Sequence, residues 1–275
     1  MSVVLTPETL CAGTGLPNEV ISFAHIPETR VVFGGGASSR VGELALELGI
    51  THVLLVTDPG IAKAGHEAWI KGHLERSGLG VTIFDDVHEN PTTEDVARCV
   101  AVARDAEIDG IIGLGGGSSM DTAKGCNFLL TNGGEMKDYW GVGKAEKEML
   151  PLVAIPTTAG TGSECQSFAL IADAETHMKM ACGDKKAAAR VAILDPELTL
   201  TQPALVTAHT GIDALTHAIE TAVTNKRSPV SSSYSKLAFA LLDRGFERVI
   251  RNPRDLEARA CMQLGAAYAG TAIEN

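Results

Sequence analysis

A chain of 275 residues, 45% apolar and 21% charged, has material for one large core or two modest ones, and its composition is that of a soluble globular protein. A net charge of −11 excludes a nucleic-acid partner held by phosphate neutralisation, and no apolar run reaches the ~18–20 residues that span a bilayer. Cys11, Cys99, Cys126, Cys165, Cys182 and Cys261 form no CxxC pair, and the N-terminus MSVVLTPETLCAG lacks a basic-then-apolar signal pattern, so buried thiols in a cytoplasmic, membrane-free protein are expected.

From about Thr29 to Asp195 short β-rich runs alternate with amphipathic ones. Arg30-Val31-Val32-Phe33 predicts a strand, followed by three glycines and a helix over Ser38 to Leu48. His52 to Thr57 is a compact apolar run, the pattern of a strand buried on both faces. One helix is predicted from Gly60 to Ser77, a strand over Val81 to Phe84, and a helix over Thr92 to Ala106. Gly110 to Leu114 then predicts a strand, Asp121 to Leu130 a helix, and Pro151 to Ile155 another strand. Such alternation implies a parallel sheet covered by helices. After Pro196 the strand signals stop, and Ala204 to Thr224, Ser231 to Arg251 and Pro253 to Ile273 predict helices. The division expected is an α/β domain over 1–196 and an all-helical domain over 197–275.

The segment 113-GLGGGSSMDTAK-124 joins a predicted strand to a predicted helix. Glycines there allow close backbone approach, and free helix N–H groups favour an anion such as a pyrophosphate. It departs from G-x-G-x-x-G, with Ser118 at the third glycine position, and a ligand-free tight turn fits as well. Asp58 ends the run VLLVTD, where a carboxylate accepts ribose hydroxyls and repels a 2′-phosphate, although 58-DPG-60 is good turn chemistry by itself. In 156-PTTAGTGSE-164, Thr157 and Thr158 follow a buried strand at the sheet edge where ligands bind.

Gly34-Gly35-Gly36 reads as a structural turn. His25, His66, His73, His88 and His177 read as solvated, and His52 as structural. Asp213 and His217 are four residues apart in a run of helical spacing, so their side chains share a face and could bind one cation. Four residues earlier, His209 is either a neighbour of that site or a plain helix residue. A transition metal takes three or four protein ligands, and no histidine follows His217, so the pair alone is more often incidental.

Taken together with 90-NPT-92, 193-ILDPELT-199 and 211-GIDALTHAIE-220, these motifs resemble the iron-containing (group III) alcohol dehydrogenases, in order and approximate spacing, from about Thr29 to Asn275. The resemblance implies an α/β fold: an N-terminal Rossmann-like parallel sheet domain, then an incomplete all-α domain, with the active-site cleft between them. It gives Gly116, Gly117, Ser118 and Asp121 the pyrophosphate-loop role and Asp58 the position that favours NAD over NADP. Asn90, Thr157, Thr158, Thr161 and Lys179 match positions lining the cofactor groove, and Asp213 and His217 match the first two ligands of Fe2+ or, alternatively, Zn2+. Members of the family continue into a histidine-rich segment, so a truncated member is expected, with its metal weakly held or absent. NAD-dependent interconversion of a primary alcohol and an aldehyde, in a homo-oligomer, is the implied activity. A catalytically dead nucleotide-binding member is the alternative, and a polyol, hydroxy acid or lactone-type substrate a third reading.

Overall fold

The computed structural model describes residues 28–275, so the readings of Cys11, His25 and the N-terminal segment lie outside it. In chain order the elements of the first part are β1 (Arg30–Phe33), α1 (Val41–Glu47), β2 (His52–Val56), α2 (Pro59–Lys63), α3 (His66–Arg76), β3 (Gly80–Phe84), α4 (Thr93–Asp105), β4 (Gly110–Gly115), α5 (Gly117–Asn132), β5 (Gly141–Val142), β6 (Leu152–Pro156), β7 (Phe168–Ala172), β8 (Lys179–Gly183) and β9 (Val191–Leu194). Three helices follow: α6 (Ala204–Val223), α7 (Pro229–Arg251) and α8 (Leu256–Glu274). None of the helices described is long and apolar enough to cross a membrane.

Six parallel strands form the main sheet in the order β1-β9-β6-β4-β2-β3, with Leu54 paired to Ile111 and Leu114 to Ile155. Successive strand residues face opposite ways, which is why the continuous apolar runs predicted a doubly covered sheet. Leu54 and Val56 join one core with Val96 and Cys99 of α4 and Ala123 and Phe128 of α5. Val53 and Leu55 join another with Leu44 of α1 and Ile70 and Leu74 of α3. Burying each of the valine, leucine, isoleucine and phenylalanine side chains contributes about 1.5–3 kcal/mol. Cys99, Cys126, Cys165, Cys182 and Cys261 are free and buried.

Three details differ from the sequence expectations. The helix predicted from Gly60 to Ser77 is broken into α2 and α3 at Gly65, whose φ of 87° no helix accommodates. A hairpin, β7 antiparallel to β8, with β5 alongside, forms a small second sheet that the sequence reading did not contain. His66, expected to be solvated, is buried, and its Nε2 lies 2.6 Å from the Thr201 hydroxyl.

The three-glycine turn is structural, as expected. The Asp195 carboxylate accepts the backbone N–H groups of Gly36 and Ser38 and the Ser38 hydroxyl, at 3.1, 3.1 and 2.6 Å. α8 docks the helical part against the ends of the strands. The Gln263 amide donates to the Pro156 carbonyl at 3.0 Å, and Ser167 donates twice to the Glu274 carboxylate, at 2.9 and 2.7 Å.

Candidate active site groove

All strands of the main sheet are parallel, so their C-terminal ends share one edge, and a groove lies along it. It has two lobes, of about 470 and 530 Å3, that share Glu89, Gly116, Gly117, Ser118, Thr158 and Val206. Asp58 and Thr157 line the inner lobe. Asn90, Asp121, Thr161, Lys179, Asp213 and His217 line the outer one. Every residue singled out for cofactor or metal therefore meets this groove. A larger cavity of about 680 Å3, lined by Cys165, Tyr234 and Tyr268 among others, holds none of them. It has neither the glycine loop nor the carboxylate–imidazole pair, so the chemistry points to the groove.

The turn reading of Asp58 is realised. One carboxylate oxygen accepts the Gly60 and Ile61 N–H groups at 2.8 and 3.0 Å, capping α2. The other oxygen faces the glycine loop, where a side chain at Gly115 would meet it at 3.3 Å. Gly115 has φ +144°, a conformation other residues rarely adopt, and it turns the chain from β4 into the start of α5. The first turn of α5 holds no acidic residue, so its N-terminal dipole is left for an anion. The Asn90 N–H donates to Ser118 Oγ at 3.3 Å, and Lys179 Nζ donates to the Asn90 side-chain oxygen at 3.4 Å. Asn90 has φ 54°, which asparagine tolerates better than most residues.

Across the groove, Thr158 stands opposite Gly116, and the buried Thr157 hydroxyl has no hydrogen-bond partner among the described residues. Thr161 Oγ1 accepts the Ser163 N–H at 3.3 Å. Asp121 is nearly buried and accepts from Ser163 Oγ at 3.0 Å. The wholly buried Lys124 ties this wall together, donating to Ser163 O at 2.6 Å, Ser163 Oγ at 2.9 Å and Phe168 O at 3.0 Å. Desolvation pushes the Asp121 carboxyl up to about 6 and the neighbouring Glu164 carboxyl up to about 7, with Lys124 opposing both shifts in part.

That network has a measurable consequence. The folded state holds a proton on Glu164 at pH values where the unfolded chain has released it, so stability rests on the neutral form. This contribution is fully present below the unfolded value of 4.5 and is lost as pH rises through about 7. Urea melts of the wild type are expected to lose about 1 kcal/mol between pH 6 and 7 from this group, a loss that Glu164→Gln removes. Equal losses in both proteins would place the Glu164 carboxylate in a solvated environment.

At the outer end, Asp213 and His217 project together from α6, with Asp213 Oδ1 3.5 Å from His217 Nε2. Two donors sharing one ion at ~2.1 Å stand at about this spacing, and a carboxylate with an imidazole suits Fe2+ or Zn2+. His209 lines the same lobe. Among the described residues, no group of three or more His, Cys, Asp or Glu side chains is placed to hold a metal. Sequence reasoning missed Gln166, Gln202 and Val206 as lining residues. Gln166 follows a loop already singled out, whereas nothing in the spacing of Gln202 or Val206 marks a ligand contact.

A family model described as iron-containing alcohol dehydrogenase matches residues 27–196, and one for the C-terminal part of the Fe-containing alcohol dehydrogenase family matches residues 207–275. The chain is 38% identical over 250 residues to the NAD-dependent methanol dehydrogenase of Bacillus methanolicus, covering 91% of this chain but only 65% of that protein's length. It superposes on the alcohol dehydrogenase from Oenococcus oeni with a TM-score of 0.87 at 33% identity, over 90% of this chain and 65% of that one. For the sulfoacetaldehyde reductase from Bifidobacterium kashiwanohense in complex with NAD+, the TM-score is 0.83 at 28% identity, over 91% and 66%.

Proposed function

The chain belongs to the iron-containing alcohol dehydrogenase family, and from that premise we propose that its groove serves an NAD-linked interconversion of a primary alcohol and an aldehyde by hydride transfer. One observation carries the reading: the Asp58 carboxylate, the glycine loop and the Asp213–His217 pair lie in succession along one groove. In this proposal Asp58 receives the adenosine ribose, and the N–H groups of Gly116, Gly117 and Ser118 receive the pyrophosphate. The Thr157 hydroxyl, unpaired among the described residues, fits such an occupant. Asn90, Thr158, Thr161 and Lys179 line the path toward the nicotinamide end, and Asp121 braces that wall through Ser163. Asp213 and His217 would hold the divalent metal. When bound, the cofactor supplies a hydride acceptor and the metal stabilises negative charge on the alcohol oxygen. The division at 196/197 into cofactor-binding and metal-binding parts, and a homo-oligomeric assembly, belong to the same proposal.

Cofactor choice tests the placement of Asp58. Its charge repels a 2′-phosphate, so calorimetric titration is expected to give tighter binding of NAD+ than of NADP+, with Asp58→Gly narrowing or reversing the preference. A wild-type preference for NADP+ would remove Asp58 from the ribose site.

A second reading, a nucleotide-binding protein without turnover, is favoured by the two-donor metal pair. Metal analysis with a turnover assay separates the two. Metal near one equivalent together with alcohol-dependent NADH formation favours the enzyme; NAD+ binding with neither favours the second reading.

A further inference from the structure

Arg259 of α8 is 2% exposed, and among the described residues no carboxylate pairs with it. Burying a guanidinium without a counter-charge is costly, so its retention asks what it holds. Its Nε donates to the Pro253 carbonyl at 3.0 Å, and its Nη1 donates to Thr207 Oγ1 at 3.0 Å and to Gln202 Oε1 at 3.1 Å, while Nη2 is buried without a partner among the described residues. Three separate segments are thus pinned by one side chain: the connector before α8, the first turns of α6, and the link that precedes α6. Gln202 is the member that reaches the groove. With its carbonyl oxygen taken by Arg259, its amide nitrogen donates to Thr210 Oγ1 at 3.0 Å. Gln202 lines the inner lobe, and Thr210 the outer. The helical wall of the groove therefore hangs on an Arg259–Gln202–Thr210 chain.

We infer that Arg259 is a positioning residue for that wall: acting through Gln202, it sets the surface on which the adenosine half of a dinucleotide packs. This rests on the proposed placement of the adenosine half in the inner lobe, beside Asp58. It predicts that the two halves of the cofactor respond differently, which a merely structural role does not.

The test titrates adenosine 5′-monophosphate, nicotinamide mononucleotide and NAD+ against wild type, Gln202→Ala, Arg259→Lys and the double variant. Gln202→Ala is expected to weaken the adenosine nucleotide about tenfold while leaving the nicotinamide nucleotide within about twofold. Arg259→Lys keeps the charge but loses the fork geometry, and it should reproduce the same split. Because both substitutions cut one link, the double variant should bind no more weakly than the worse single. Unchanged binding of the adenosine nucleotide by Gln202→Ala overturns the inference, as do equal losses for both halves or additive losses in the double. If Arg259→Lys fails to fold, Gln202→Ala decides alone. A wild type that binds neither NAD+ nor the adenosine nucleotide overturns the dinucleotide reading itself, and the inference with it.

Discussion

Gly270→Ala is expected to destabilise the protein by about 3 kcal/mol or more, lowering Tm by roughly 6–10 °C in a thermal melt. The reason is a crossing of two backbones. An added Cβ on Gly270 would stand 2.3 Å from the Gly162 carbonyl oxygen and 2.9 Å from its Cα. In return, a Cβ on Gly162, which also has φ +63°, would stand 2.7 Å from the Ala266 carbonyl oxygen and 2.7 Å from the Gly270 Cα. Neither neighbour is a side-chain tip that can swing away, so α8 must lift from the Thr157–Ser163 loop. That loop is a wall of the groove, and NAD+ affinity should fall along with stability. The same replacement at Gly72 in α3 meets only the end of the Arg76 side chain, at 3.2 Å. There Tm should hold or rise, since alanine is favoured over glycine in a helix by up to ~1 kcal/mol. A Gly270→Ala protein as stable as wild type would mean the crossing is looser than described.

The second large effect is expected at Gly116. A Cβ there meets Thr158 at 3.4 Å, an ordinary contact, so the fold of Gly116→Val should survive. The added side chain nevertheless stands where the two lobes join. NAD+ binding should weaken about tenfold or more, ~1.4 kcal/mol, with Tm little changed. Gly117 is the poorer test, because a Cβ there would press on Thr161 at 2.8 Å and mix strain with occlusion. Unaltered NAD+ affinity in folded Gly116→Val would reduce the glycine loop to a turn.

What was legible in the sequence was whatever local pattern decides. The VLLV run read as a doubly buried strand because it faces helices on both sides, and GIIGL read as a strand beside it. The glycine loop and the Thr157–Thr158 loop read as groove walls because the ends of parallel strands place them there. The hairpin of β7 and β8 was not legible, since Lys179-Met180-Ala181-Cys182-Gly183 holds no β-branched residue and gains its strand form from pairing with Phe168–Ala172. His66 looked solvated among polar neighbours, and only tertiary packing brings Thr201 onto it. The link from Arg259 to Gln202 spans 57 positions, beyond any periodicity. Asp213 and His217 share a helix face as their spacing required, but spacing alone does not place them in the same groove as Asp58.

The most direct measurement is a crystal structure of this chain with NAD+ bound. The adenosine is expected in the inner lobe against Asp58, the pyrophosphate on the N–H groups of Gly116 to Ser118, and the nicotinamide in the outer lobe facing Asp213 and His217. A cofactor bound in the opposite direction, or seated in the cavity beside Tyr234 and Tyr268, would contradict the assignment of this groove.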